Sequence, residues 1–329
     1  MRALGEYMGR QNLFSKQAPE ILETLKDVAC VESTESSTRL EGIHVRHERV
    51  RNIVLKSAKP KGRSEEEVAG YKDALEYVHQ NWEKLEFDTN TIRLLHGTMY
   101  RYTGDTGGSW KTSNNVIVDR YPDGSERVRF RPTPWAETPS AMEKLVELYN
   151  ARLNEGTDPL LLIPLTVLDF LCIHPFTDGN GRVARLITLL LLYKAGYHVG
   201  RYISLERVFE QSEETYYETL ETSSARWHSG RHDALPWTNY FWGVLTYAYK
   251  EFEERVAAMT SGRGTKTELV TLAISRWLGP FSIADIERKC PNVPRDTLRH
   301  IFHVLRDEGR IRALGKGRGA KWEKVRGKW

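Results

Sequence analysis

The sequence IHPFTDGNGRVAR, residues 173–185, decides the fold because it joins two apolar segments, residues 160–173 and 186–193. Both segments are apolar on nearly every side, which is typical of helices buried in a protein core. Pro175 disfavours helical backbone at the residue before it, so we expect the first helix to end at His174. The sequence therefore predicts two core helices joined by a short polar loop.

The turn in this loop has the composition of a phosphate site. Gly179 and Gly181 flank Asn180, which predicts a tight turn whose backbone N–H groups point at one spot. The positive end of the following helix faces the same spot and favours a bound anion. Arg182 and Arg185 are three residues apart, hence on one face of that helix, and guanidinium groups bind phosphate oxygens in a forked geometry.

Two further side chains give the loop chemistry beyond anion binding. Asp178 supplies a hard oxygen ligand of the kind that Mg²⁺ prefers. His174 can act as a general base near neutral pH. Taken alone, His174 is better interpreted as a hydrogen-bonded histidine at a helix-turn-helix corner of the core. The whole loop indicates phosphoryl or nucleotidyl transfer.

Residues 174–185 match the pattern H-x-F-x-[D/E]-G-N-G-R-x-x-R of the Fic family at every specified position. A chance match has a probability on the order of 10⁻¹⁰ per window. The chain thus resembles the Fic family, whose members mostly transfer AMP from ATP to a Ser, Thr or Tyr hydroxyl of a target protein. The resemblance implies a mostly α fold, a Fic-fold helical bundle with a β-hairpin flap.

The resemblance also implies a role for each residue of the loop. His174 would deprotonate the target hydroxyl, and Phe176 would anchor the loop in the core. Asp178 would bind Mg²⁺ bridging the α- and β-phosphates of ATP. Arg182 would contact the phosphates, and Arg185 would hold the γ-phosphate. The anion hole would consist of Gly179, Asn180 and Gly181.

A β-hairpin is predicted at residues 116–132, where two β-prone runs flank the turn Tyr121-Pro122-Asp123-Gly124. The family carries its flap here, which pairs with a segment of the target and covers the nucleotide. An ordinary surface ribbon is the alternative. The flap residues expected at the ATP site are Val128, Arg129, Phe130 and Arg131.

Tyr216 and Tyr217 resemble the paired tyrosines that pack on the adenine in this family. Stacking of an aromatic ring on a base is a common mode of recognition. The alternative is that both tyrosines belong to the core. Ser224 stands where many relatives carry Asn, which leaves the adenine contact at that position open.

A candidate inhibitor lies near the N-terminus, where Ser37-Thr38-Arg39-Leu40-Glu41-Gly42 resembles the [S/T]-x-x-x-E-[G/N] motif of self-inhibited, class II Fic proteins. The resemblance implies that Glu41 reaches the ATP site and pairs with Arg185 where the γ-phosphate should lie. Ser37 and Gly42 complete the motif. The alternative is a helix that ends at Gly42 and leaves Glu41 solvated.

The charge of the chain is unevenly distributed. The 329 residues include 48 Lys and Arg and 44 Asp and Glu, a formal net charge of +4. Residues 295–329 hold eleven Lys or Arg and four Asp or Glu, a local charge of +7. Ser261-Gly262-Arg263-Gly264 reads as a linker. We therefore expect N-terminal helices at 1–89, a Fic core at 90–260 and a separate basic module at 261–329.

Three helical patterns and a final hairpin in residues 267–323 predict a small winged helix-turn-helix domain. Its third helix would present Arg295, Arg299, His303 and Arg306 on one exposed face. The local charge favours DNA as the partner. Contact with protein, including a second copy of the chain in a homodimer, is the alternative.

Several classes of protein are disfavoured by simple features. Cys30, Cys172 and Cys290 form no C-x-x-C pair, which argues against a disulfide framework and a zinc ribbon and fits a reducing compartment. The sequence shows no apolar leader and no bilayer-length apolar run, so we expect a cytoplasmic protein without a membrane partner. No G-x-x-x-x-G-K-[S/T] motif is present, which disfavours a P-loop enzyme.

The leading hypothesis is a self-inhibited protein adenylyltransferase that uses ATP and Mg²⁺ on a target protein. Two rivals remain. The same loop could remove AMP from a modified target, with Glu41 orienting a water. Alternatively, a DNA-bound regulator could use the Fic core as a nucleotide sensor.

Overall fold

The computed structural model describes residues 2–17, 19–120, 124–260, 265–277, 279–290, 293–315, 317 and 320–325. The chain divides into two compact units, Met1–Phe252 and Glu253–Trp329. Both consist mainly of helices, which confirms the mostly helical fold predicted from the sequence. The predicted turn at Tyr121–Gly124 (all but Gly124) and the predicted linker Ser261–Gly264 lie outside the described residues.

Among the described residues, eleven α-helices account for most of the first unit, and the last of them extends into the second unit. They are α1 (Arg2–Gln17), α2 (Pro19–Arg39), α3 (His47–Lys56), α4 (Arg63–Asn81), α5 (Thr89–Met99), α6 (Thr138–Asn154), α7 (Pro159–Ile173), α8 (Asn180–Lys194), α9 (Leu205–Gln211), α10 (Glu213–Ser224) and α11 (Leu235–Thr260). No helix in the described part of the chain is long and apolar enough to cross a membrane.

The predicted core helices, α7 and α8, pack against each other, and α6 and α4 cover them. Helix α7 begins where the Asp158 carboxylate accepts a hydrogen bond from the backbone N–H of Leu160, at 2.8 Å, with Pro159 at its first position. Helix α8 is buried at every position from Arg182 to Tyr193. Burial of each aliphatic side chain stabilises the fold by about 1.5–3 kcal/mol. The packed pair α7 and α8 therefore holds the connecting loop in a defined position.

Helix α2 continues beyond the apolar positions of its first half, such as Leu25 and Val28, and ends at Arg39. Its second half is rich in Ser and Thr, which favour caps and turns over helix interiors. Here the Thr34 and Thr38 hydroxyls donate to the carbonyls four residues earlier, at 2.8 and 2.9 Å. Both side chains are buried, so tertiary packing outweighs the poor helix propensity.

A buried carboxylate on α9 fixes the middle of α2. Glu206 is 1% exposed and accepts hydrogen bonds from the hydroxyls of Ser33, at 2.7 Å, and Tyr71, at 3.0 Å. A buried carboxylate is stable only when such donors satisfy it. Helix α2 is thus joined to α4 and α9 by hydrogen bonds in the core.

Strands β1 (Ile117–Arg120) and β2 (Glu126–Phe130) form an antiparallel hairpin. Val118 pairs with Val128, and the register shifts between Ile117 and Val118. Such an irregularity bends a strand and re-aims its side chains. Within the described residues this ribbon has only these two strands.

The second unit contains α12 (Thr265–Arg276), α13 (Ile283–Lys289), α14 (Arg295–Asp307) and an antiparallel pair, β3 (Ile311–Ala313) with β4 (Trp322–Lys324). Ser282 caps α13, and Asp285 completes a reciprocal capping box. Phe281, Phe302 and Trp322 pack edge to face in a core of their own.

Candidate functional site

His174 terminates α7 in a left-handed conformation, with φ at 52°. Its Nδ1 lies 3.2 Å from the carbonyl oxygen of Leu171, which requires a proton on Nδ1 and leaves the lone pair on Nε2. Burial lowers the pKa of His174 to about 4. The imidazole is therefore neutral at pH 7, and Nε2 is able to accept a proton.

The loop after His174 is closed by a side chain from its own far end. The Asn180 carboxamide accepts from the backbone N–H of Phe176, at 2.9 Å, and donates to its carbonyl, at 2.8 Å. Asn180 is 2% exposed, so its side chain shapes the loop and does not face a ligand. Gly179 precedes α8 with φ at 77°, a conformation that favours glycine.

His96 belongs to none of the sequence motifs described above, but it supports the same loop. Its ring stacks on the fully buried Phe176, with centroids 3.8 Å apart. Nδ1 accepts from the backbone N–H of Gly108, at 2.8 Å, so Nε2 carries the proton that is donated to the carbonyl of Asp178, at 3.1 Å. Burial lowers the pKa of His96 to about 4, which keeps this bridge neutral.

A cavity of about 520 Å³ opens beside the loop, and most of the residues predicted for the site line it. Its walls come from the end of α2, the hairpin, α7, the loop, α8 and α10. The predicted residues that line it are Glu41, Arg129, Phe130, His174, Asp178, Gly181, Arg185, Tyr216 and Tyr217. Seven other residues predicted for this site are not part of its lining: Ser37, Gly42, Val128, Arg131, Gly179, Asn180 and Arg182.

Arg185 is buried, with 3% exposure, and it donates hydrogen bonds to Ser37 near the end of α2 and to Glu41 just after that end. Its Nε donates to the Ser37 hydroxyl and its Nη2 to the Ser37 carbonyl, both at 2.8 Å. Nη2 also donates to Oε1 of Glu41 at 2.7 Å. The chain turns after α2 at Gly42, whose φ is 76°. Glu41 is thus ion-paired next to the cavity and is not simply solvated.

Gly181 makes room for that carboxylate. A Cβ at this position would lie 2.3 Å from Oε1 of Glu41, closer than any real contact allows. The absence of a side chain therefore lets Glu41 approach the first turn of α8. Glycine at 181 serves this contact as well as the exposure of the backbone N–H groups.

Arg182 is held inside the protein, contrary to the expectation that both arginines face phosphate. It is 1% exposed and donates to Glu67 at 2.6 Å, to the Tyr100 hydroxyl at 2.9 Å and to Asp178 at 3.2 Å. Tyr100 also donates to Asp178, at 2.7 Å. Although burial acts in the opposite direction, these two donors hold the pKa of Asp178 below its usual range. Arg182 therefore orients the carboxylate.

Asp178 fits Mg²⁺ that arrives with a nucleotide. Its side chain is 65% exposed and lines the cavity, so the ionised carboxylate can reach a cation there. Among the described residues, no group of three or more His, Cys, Asp or Glu side chains could hold a metal by itself. Mg²⁺ commonly uses one or two carboxylates together with substrate phosphates, and this donor set matches that mode.

The two predicted tyrosines differ in their surroundings. Tyr216 is 3% exposed and packs among aromatic neighbours that include Phe209 and Trp237. The Tyr217 hydroxyl donates to the carbonyl of Leu40 at 3.0 Å, and the guanidinium of Arg129 lies 5.2 Å from its ring centroid. Tyr217 therefore connects the hairpin side of the cavity to the candidate inhibitory segment. Ser224 also lines the cavity.

The four basic residues predicted on the second unit all lie exposed on α14. Three of them are paired with neighbouring carboxylates, which reduces the positive charge of this face. The pairs are Arg295 with Glu287 at 3.1 Å, Arg299 with Asp296 at 2.9 Å and Arg306 with Asp307 at 2.8 Å. His303 completes the exposed row.

Comparison with known proteins finds similarity to Fic proteins, in agreement with the arrangement of the loop. Residues 86–192 match the Fic/DOC family. The chain is 25% identical over 185 residues, 55% of its length, to the protein adenylyltransferase Fic of Drosophila willistoni, of which the match covers 35%. It is 29% identical over 140 residues, 40% of its length, to the protein of that name from Nematostella vectensis, of which it covers 29%. The match thus spans about a third of these relatives.

Solved structures show the same fold. A Fic family protein from Desulfovibrio desulfuricans aligns with a TM-score of 0.62 at 20% identity, over 98% of this chain and 94% of that one. A Fic domain containing signaling protein from Bacteroides thetaiotaomicron aligns with a TM-score of 0.61 at 21% identity, over 78% and 97% of the two chains. The helical arrangement around the loop is therefore the Fic fold.

Proposed function

We propose that this protein is a self-inhibited adenylyltransferase, which transfers AMP from ATP to a Ser, Thr or Tyr hydroxyl of a target protein. The observation that carries the proposal is the meeting of His174, Asp178 and Arg185 at one cavity beside the N-terminus of α8. A neutral base, a carboxylate for Mg²⁺ and a phosphate-binding cation are the groups that nucleotidyl transfer requires.

In the proposed reaction, Nε2 of His174 accepts the proton of the target hydroxyl as its oxygen attacks the α-phosphorus. The bond between the α-phosphorus and the bridging oxygen breaks, and pyrophosphate leaves. The N-terminal N–H groups of α8 would stabilise the charge on the phosphates. Arg185 would bind the γ-phosphate. Asp178, oriented by Arg182 and Tyr100, would hold Mg²⁺, which neutralises phosphate charge.

Glu41 would inhibit this reaction by occupying the guanidinium of Arg185. With Nη2 already bonded to Glu41 and Ser37, the γ-phosphate would lack its partner. ATP could then bind only in a pose that turns the α-phosphate away from in-line attack. Differential contact with one residue is sufficient to shift such an equilibrium.

The hairpin β1–β2 would serve as the flap that positions the target. Ile117, Val118, Arg129 and Phe130 contribute to the cavity wall, so a target strand that pairs with this ribbon would bring its hydroxyl towards His174. Val128 is 46% exposed and offers an apolar contact outside the cavity. The residue that is modified and the target itself would be selected along this ribbon.

The test is labelling of a cell lysate with α-phosphate-labelled ATP and Mg²⁺, followed by intact-mass analysis of the labelled target. We expect Glu41→Gly to produce a mass gain of one AMP on the target, whereas wild type produces little. Glu41→Gly/His174→Ala should produce none. Absence of transfer in Glu41→Gly with every protein of the lysate would refute the proposal.

The reverse reaction is the rival within the same site, because Glu41 could orient a water that removes AMP from a modified target. Its position against Gly181, beside the cavity, is compatible with that role. Incubation of a purified AMP-modified target separates the two. Release of AMP by wild type that is lost in Glu41→Gly would favour removal over transfer.

For the second unit we propose a winged helix-turn-helix domain that binds DNA through α14. The supporting observation is the exposed row of Arg295, Arg299, His303 and Arg306 on one helix. Arg299→Glu/Arg306→Glu should weaken binding to duplex DNA and reduce its salt dependence. Arg152→Glu, an exposed and ion-paired arginine of the first unit, is the control. Unchanged DNA binding with a change in oligomeric state would favour protein contact.

A further inference from the structure

Lys111 contacts the backbone on both sides of His174. Its backbone N–H donates to the carbonyl of Pro175, at 2.8 Å. Its side-chain Nζ donates to the carbonyl of Ile173, at 3.1 Å. One residue therefore binds the carbonyl of the residue before His174 and the carbonyl of the residue after it.

Asn115 extends this contact along the loop. Its Oδ1 accepts from Nζ of Lys111 at 3.0 Å, and its Nδ2 donates to the carbonyl of Phe176 at 3.1 Å. That carbonyl also accepts from Asn180, at 2.8 Å. Three of the four backbone carbonyls from Ile173 to Phe176 thus accept hydrogen bonds from Lys111, Asn115 or Asn180. The carbonyl of His174 is the exception.

The backbone at His174 requires such support. A side chain at positive φ costs on the order of 1–3 kcal/mol, and the conformation persists only where the surroundings impose it. The hydrogen bond from Nδ1 to Leu171 fixes only the ring. The position of the ring also depends on the backbone around His174, and Lys111 binds the carbonyls of the residues on either side, Ile173 and Pro175.

The placement of Lys111 is costly for the fold. The side chain is 3% exposed, and among the ion pairs of the described residues none joins it to a carboxylate. Burial lowers the pKa of Lys111 to about 8. A buried ammonium that donates to one backbone carbonyl and one amide oxygen is unfavourable compared with an apolar side chain, so its presence calls for a gain elsewhere.

We propose that Lys111 is a positioning residue for the reaction: it sets the backbone of His174 and thereby aims Nε2 at the target hydroxyl. This inference rests on the function proposed above. Lys111 does not line the cavity, so it acts through His174 and not through the nucleotide. Loss of its Nζ contacts should therefore slow the chemical step more than it weakens nucleotide binding.

The experiment compares Lys111→Met, Lys111→Arg and Asn115→Ala in the full-length Glu41→Gly protein, with Lys84→Met as the control at an exposed lysine. We expect Lys111→Met to lower kcat about 10–100-fold with less than about 3-fold change in KM for ATP. Lys111→Arg should restore part of the rate. Asn115→Ala should act in the same direction more weakly, which provides a variant with less disturbance of the core.

A second measurement does not depend on transfer. The ring resonance of His174, assigned by its absence in His174→Ala, should shift in Lys111→Met and stay unchanged in Lys84→Met. A kcat within about 2-fold of the parent, or a loss confined to KM, would overturn the inference. If the Glu41→Gly parent transfers no AMP, the proposed function fails. In that case the spectrum tests the positioning role by itself, and a His174 ring resonance that does not shift in Lys111→Met refutes it.

Discussion

Arg185 and Glu41 lie 144 positions apart in sequence, yet Nη2 of the arginine lies 2.7 Å from Oε1 of the glutamate. The contact joins the end of α2 to the first turns of α8, and Ser37 supplies two more acceptors for the same guanidinium. Burial opposes the charge of Arg185, but the carboxylate of Glu41 raises its pKa above the usual range. The guanidinium therefore remains charged and hydrogen-bonded to Glu41.

Replacement of Glu41 by Gly should increase AMP transfer. Freeing Arg185 from a partly buried charged hydrogen bond shifts the two states by about 1–3 kcal/mol, or roughly 5–150-fold in population. The rate of label transfer from α-phosphate-labelled ATP to a validated target measures the effect. Glu86→Gly, an exposed loop glutamate, should have no effect, and Glu41→Gly/Arg185→Ala should lose the gain. Equal rates in wild type and Glu41→Gly would show that Glu41 is not an inhibitor.

Replacement of His174 by Ala in the Glu41→Gly protein should abolish transfer but preserve nucleotide binding. Loss of a general base typically slows a reaction about 10²–10⁴-fold, whereas the anion-binding groups remain in place. Calorimetric titration with ATP and the transfer assay separate the two effects. The matched control is His44→Ala, at an exposed histidine. Transfer at the parental rate in His174→Ala would refute the mechanism.

Truncation of Phe176 to Ala should lower the free energy of unfolding by about 3–5 kcal/mol, because it removes a fully buried ring. The stack on His96 is lost together with the core of the loop. Urea unfolding of the whole chain measures the change. Leu148→Ala, at a side chain that is 48% exposed, should change the value by less than about 0.5 kcal/mol. A small effect at Phe176 would show that the loop does not depend on its anchor.

Stability should fall as the pH decreases below about 6.5. Burial lowers the pKa of His79 to about 3 and those of His96 and His174 to about 4, from an ordinary value of 6.5. Between these values the unfolded chain binds protons that the folded chain does not, so protonation favours unfolding. Each histidine contributes up to about 1.4 kcal/mol per pH unit in that window.

Urea unfolding at pH 7, 6 and 5 measures this dependence. His79→Gln removes one of the three titrating groups and should reduce the slope. A free energy of unfolding that stays constant from pH 7 to pH 5 would contradict the burial of neutral imidazoles.

Local sequence features predict where α7 ends and where α8 begins. Pro175 disfavours helical backbone at the residue before it, and the glycines at 179 and 181 favour a tight turn. The extent of α2 was not predictable in this way. Its Ser- and Thr-rich end is a poor helix former, and only contacts with other helices, such as Glu206 with Ser33, stabilise it.

The candidate site also combines residues that local sequence predicts with residues whose roles depend on distant contacts. The residues of loop 174–185 were found because they are contiguous, but the inward role of Arg182 depends on Glu67, which is 115 positions away in sequence. His96 and Lys111 support the loop through contacts across 60 positions or more. Glu67 lies on the same face of α4 as the buried Tyr71 and Ala74, and a carboxylate at that position is a feature of the sequence that could have indicated a buried ionic partner.

The attachment of α2 to Glu206 limits how far the candidate inhibitor can travel. Ser33 of α2 and Tyr71 of α4 both donate to Glu206, which anchors the body of α2 in the core, so a withdrawal of the Glu41 carboxylate would use the short turn around Gly42. The carboxylate is then present at a high and constant local concentration beside Arg185. Inhibition of this kind is insensitive to dilution of the protein. Relief of it would require a local change in a few residues and no separation of domains.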